Sequence, residues 1–77
     1  MTEKNWIEQS EKVLLGRRIL KIRYMTKKEA EELGSDNRAI VIGLDNGTLI
    51  WPSMDDEGNN AGAIFTTDKD LPTIPVF

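Results

Sequence analysis

Apolar residues recur at helical spacing over the first fifteen positions, where Trp6, Ile7, Val13 and Leu14 fall on one stripe with Ser10 between them. Thr2 is placed to cap this helix, and Glu3 suits the positive end of its dipole. Gly16 stands where the helix would stop, so the pattern predicts a helix over 3–15. From Arg17 the period falls to two. Leu20, Ile22 and Tyr24 alternate with Lys21 and Arg23, which predicts a half-buried strand over 17–25 with a basic outer face. Thr26 and Glu29 then have capping-box spacing, Ala30 and Leu33 supply a small apolar side, and Gly34 ends a short helix over 27–33.

The second half reads as strands. Ile40-Val41-Ile42-Gly43-Leu44 is apolar on both faces, so 38–45 is expected at the centre of a sheet. Asn46-Gly47 suits a type I′ hairpin, which would return 48–53 antiparallel until Pro52 marks its end or edge. A further strand is expected over 62–66 and a turn at Asp68-Lys69-Asp70. The apolar tail 71–77 has prolines that forbid a central position. This order predicts a single α+β domain over 1–77: an antiparallel sheet of four or five strands with an N-terminal helix and a short second helix. An SH3-like or OB-like barrel and an open curled sheet packed on the first helix both fit.

Composition removes much chemistry. The 77 residues include no cysteine and no histidine, so thiolate zinc sites, thiol nucleophiles and imidazole bases are absent. So short a chain has a modest core and no disulfide staple, which makes a homo-oligomer the expectation. No stretch approaches the ~20 apolar residues of a membrane span, and the polar start has no signal core, which points to the cytoplasm and to no membrane partner.

The net charge of −3 conceals a division: residues 12–28 hold Lys12, Arg17, Arg18, Lys21, Arg23, Lys27 and Lys28 and no acid, while Asp55, Asp56 and Glu57 cluster later. Lys27 and Lys28 occupy the first turn of a helix, where the dipole disfavours cations. Pairs with Glu31 and Glu32 at i,i+4 would compensate; alternatively, the two lysines with Arg18 and Arg23 would form an anion site. Long nucleic acid is not the expected partner, because its binders carry a basic excess.

Residues 53–62 form a polar stretch. Asp55, Glu57 and Asn59 alternate as calcium ligands do, but Asn60 stands where an EF-hand requires glycine and Thr66 where it requires a bidentate glutamate. No metal or cofactor is therefore assigned, and Ser53 has no neighbouring base, so no catalytic residue is assigned. As recognition groups, Ser53, Asp55, Asp56, Glu57, Asn59 and Asn60 offer oxygens to ribose hydroxyls or base amino groups, and Trp51, Phe65 and Tyr24 offer a stacking surface.

The run from Leu44-Asp45-Asn46-Gly47-Thr48 through Trp51-Pro52-Ser53-Met54-Asp55-Asp56-Glu57-Gly58-Asn59-Asn60 to Gly62, with Gly16-Arg17-Arg18-Ile19 to Tyr24 and the glutamate-rich short helix, resembles a group of small uncharacterised proteins of bacteria and their phages. The resemblance spans most of residues 13–66. It implies a phage or mobile-element setting, in which compact acidic proteins antagonise host factors or sequester signalling nucleotides, and it carries no functional residues. The expectation is a non-enzymatic module that binds a small polar, nucleotide-like ligand. The alternatives are an acidic module inhibiting a host protein and, third, a metal-dependent phosphodiesterase.

Overall fold

The computed structural model describes residues 2–53 and 62–77. Helix α1 spans Glu3–Leu14 and strand β1 Ile19–Tyr24; helix α2 follows at Lys27–Glu32. Strands β2 (Ile40–Leu44), β3 (Leu49–Pro52), β4 (Ile64–Thr66) and β5 (Thr73–Ile74) complete the chain. The strands form one antiparallel sheet in the order β1-β2-β3-β4-β5. β1 and β5 each have a single neighbour, so among the described residues the sheet stays an open meander and does not close into a barrel. The tail forms the far edge by pairing Thr73 and Ile74 with Phe65 and Ile64 of the same chain, flanked by the prolines that exclude a central place.

Local chemistry explains most boundaries. Both helices begin with complete capping boxes, Thr2 with Asn5 and Thr26 with Glu29. At the end of α2 the Ser35 N–H donates to the Ala30 carbonyl and the Gly34 N–H to the Glu31 carbonyl, with Gly34 at φ +73°. That is a Schellman cap, which asks for a residue free to turn left-handed.

The hairpin between β2 and β3 differs from the two-residue type I′ turn expected. Among the described residues only glycines have positive φ, so Asn46 is not left-handed and Gly47 alone is, at +85°. Leu44 N–H donates to the Thr48 carbonyl and Gly47 N–H to the Leu44 carbonyl, giving a three-residue loop that ends on a left-handed glycine. Asn46 works through its side chain instead. Its Oδ1 accepts from Thr48 N–H and its Nδ2 donates to the Val13 carbonyl, tying the hairpin to the end of α1.

Register decides which side chains share a face. Val41, Gly43 and Arg23, Lys21 oppose one another on one side; Ile40, Ile42 and Tyr24, Ile22 do so on the other. The first side is closed by α2, where Met25, Ala30 and Val41 are buried with Ala39, Leu49 and Trp51 against them. Met25 and Ala30 flank the Thr26 cap at the positions of a hydrophobic staple. On the second side Ile22, Ile42, Ile50 and, through β4, Ile74 lie in register. Ile74 lines a groove there with Trp6, Ile7 and Leu14 of α1.

The strand expected to be half-buried with a basic outer face is therefore reversed. In β1 the one partly buried residue is Arg23, on the α2 side, while Ile22 and Tyr24 are each 62% exposed. A bulge between Ile19 and Lys21 makes Leu20 the extra residue and brings Ile19 into register on the side of Ile22 and Tyr24.

Candidate functional site

α2 covers the sheet incompletely, and a cleft with two lobes remains beneath it. One lobe, of about 190 Å³, is lined by Arg23, Met25, Glu29, Leu33, Trp51 and Thr67 among others. The second, of about 260 Å³, shares Met25, Leu33 and Trp51 and extends to Ser53, Phe65 and Pro72. Trp51 and Phe65 are cross-strand partners with ring centroids 6.2 Å apart, tilted by 50°. The cleft is thus an apolar, ring-lined space with a few polar groups at its margins, the usual composition of a small-molecule site.

Among the described residues, the Trp51 indole Nε1 is a buried side-chain polar atom with no hydrogen-bond partner. An indole N–H is a donor only, and leaving it buried and unpaired costs about 1–3 kcal/mol.

Arg23 marks the rim of the first lobe. Its Nη1 and Nη2 donate to Glu29 Oε1 and Oε2 at 2.8 and 3.0 Å, a bidentate pair, and Glu29 Oε1 also accepts from Thr26 N–H at 2.8 Å. The Arg23 hydrogen bonds and then the Thr26 N–H hold the Glu29 carboxyl down from 4.5 to about 2, and the Glu29 hydrogen bond raises the Arg23 guanidinium. Glu29 N–H is itself occupied by Thr26 Oγ1. The start of α2 is therefore committed to its own capping box and to Arg23.

The structure brings Arg23, Trp51 and Ser53 of the sequence-predicted site to this one cleft. Lys27 and Lys28 are exposed on α2 and line neither lobe, and the ion pairs expected between them and Glu31 and Glu32 are not formed among the described residues. Arg18 is exposed and contributes its carbonyl, which accepts from Asp45 N–H. Asp55, Asp56, Glu57, Asn59 and Asn60 lie outside the described residues. Of the three rings expected to offer a stacking surface, Trp51 and Phe65 line the cleft, whereas Tyr24 faces the other side of the sheet. Met25, Leu33 and Thr67 are lining residues that the sequence reading did not single out. Met25 alone carried a signal, its place immediately before a capping box.

The groove between α1 and the tail is larger, about 450 Å³, but its walls are almost wholly apolar. Of its polar residues, Ser10 has its hydroxyl committed to the Trp6 carbonyl at 2.7 Å. Its other polar lining residues are Glu3 and Glu11 of α1. Among the described residues, no helix is long and apolar enough to cross a membrane, and no group of three or more acidic residues is placed to hold a metal. Set against family models, curated proteins and solved structures, the chain matches none.

Proposed function

We infer that the protein is a non-enzymatic binding module that takes a small, planar, nucleotide-like ligand into the cleft beneath α2. The observation that carries this reading is the apolar cleft walled by the Trp51 and Phe65 rings, beside a buried indole donor, Trp51 Nε1–H, that has no acceptor among the described residues and that a ligand would reach by displacing what covers it. A base edge supplies such an acceptor, and the Trp51 and Phe65 rings supply apolar contact for its faces. Glu32 and Arg23 stand at the margin, where ribose hydroxyls or a phosphate would lie. A phage protein that sequesters a signalling nucleotide would need this much and no catalytic group.

Native mass spectrometry of protein purified from cells tests the reading, followed by thermal unfolding with a panel of mono-, di- and cyclic nucleotides. A co-purifying mass of that class, or a raised midpoint, is expected. Trp51→Phe keeps an apolar ring and removes the donor, so it should weaken binding about tenfold while leaving the unliganded protein at least as stable. Protein that arrives clean and whose midpoint no nucleotide moves would overturn the proposal. Salt-sensitive capture of a host protein would instead favour an acidic inhibitor. Chelator-sensitive phosphodiester cleavage lost in Asp55→Ala and Asp56→Ala would favour an enzyme.

A further inference from the structure

Among the described residues, the side of β1 turned away from α2 is apolar and open and takes no charge from the strand itself. Ile19 is 57% exposed, Leu20 68%, and Ile22 and Tyr24 62% each, next to the half-buried Ile40 and Ile42. By register Ile19, Ile22 and Tyr24 share this face with Leu44, Ile42 and Ile40, whereas Lys21 and Arg23 oppose Gly43 and Val41 on the other. The strand therefore keeps its two charges off the apolar face. Among the described residues the buried apolar side chains are Val13, Met25, Ala30, Val41, Leu44 and Leu71, so the core leaves these large side chains outside it.

We propose that this face is the contact between two copies of the chain, packed face to face about a twofold axis near Ile22. An acidic or basic partner would find no strand charge here to complement, whereas a second copy presents the same neutral row, and a twofold contact needs only self-complementarity. Edge-to-edge strand pairing is disfavoured, since the bulge at Leu20 and the lysine at position 21 both interrupt the β1 edge. Area supports a dimer. At these exposures the four side chains offer on the order of 500 Å² per copy before Ile40 and Ile42 are counted, against ~800 Å² per partner in a standard stable interface. Because the α2 cleft lies on the opposite side of the sheet, the dimer stands or falls independently of ligand binding.

Sedimentation and light scattering of the full chain between about 1 and 100 μM test the proposal. The wild type is expected at twice the chain mass, and Ile22→Lys and Tyr24→Glu are each expected to weaken association at least about thirtyfold, as central interface residues do. Lys21→Glu, on the other face, should leave the dimer intact. A wild type that stays monomeric throughout overturns the proposal, as does a dimer that survives both face substitutions or is lost in Lys21→Glu. Monomer that floats with phosphatidylserine vesicles, and ceases to in Ile22→Lys or Tyr24→Glu, would assign the face to a lipid surface instead.

Discussion

The two sides of the β1–β2 pair carry the same alternating code and meet opposite fates. On one, Val41 is 3% exposed under Met25 and Ala30, and even Arg23 is partly covered. On the other, Ile22 and Tyr24, which carry the larger apolar surface, stand in the open. The cause is the connection between the strands. α2 sits between β1 and β2, capped at both ends, with Met25 N–H donating to the Ala39 carbonyl at 2.9 Å where the chain leaves one strand and enters the other. At β1, the side that this connection folds over is the one that is covered. Alternation fixes that two sides differ; the helix decides which is closed, and the arginine on that side is accommodated by its bidentate partner Glu29 rather than turned outward.

The largest effect expected from this asymmetry is in paired truncations. Met25, 4% exposed, should cost about 2–5 kcal/mol when changed to alanine, as buried methionines do. Ile22→Ala removes a comparable side chain from the open side and should stay within about 0.5 kcal/mol in the monomer. Urea unfolding at low protein concentration measures both. Equal losses would mean that the open face is packed within one chain, and the contrast would fail.

This asymmetry also marks how far the sequence could be read. Thr26 with Glu29, and Gly34, act within a few residues of themselves, so the short helix and its ends were legible. The α+β class and the strand set followed from period and turn chemistry. Which side of β1 would be buried was not legible, because that depends on where α2 lands, and the bulge at Leu20 shifts the row by one residue. The Asn46-Gly47 signal located the hairpin but not its type, since Asn46 spends its amide on Val13 and Thr48 instead of turning left-handed. Of the candidate site, Arg23 from β1 converges with Trp51 and Ser53 from the end of β3. Lys27 and Lys28 drew attention through a broken local rule, but the cleft opens beneath the helix whose surface they occupy.

A smaller effect comes from adding volume under α2. Ala30 is 3% exposed against Met25 and Val41, and Ala30→Leu should cost about 1–3 kcal/mol through overpacking. If calorimetry instead finds the variant as stable as the wild type, the helix is free to lift from the sheet. The closed side would then be closed by capping alone, and nucleotide-induced stabilisation should be weakened in the same variant, because the α2 wall of the cleft would no longer be fixed against the sheet.

The smallest effect distinguishes the ion pair on the closed side from the staple beside it. Glu29 is held at about 2 in the folded chain, first by Arg23 and then by Thr26 N–H, against an ordinary value of 4.5. A carboxyl depressed by folding contributes stability that is complete above its unfolded value and is lost as pH falls from there through the folded one. The unfolding midpoint should therefore decline between about pH 4.5 and pH 2, and Glu29→Gln should start lower and lose that part of the decline. Because the pair lies in solvent, the difference should be small and should shrink with added salt. Arg23→Lys keeps the charge but surrenders the bidentate geometry, so it should recover only part of the slope. Full recovery would mean that charge alone, rather than the paired hydrogen bonds, fastens the rim of the cleft.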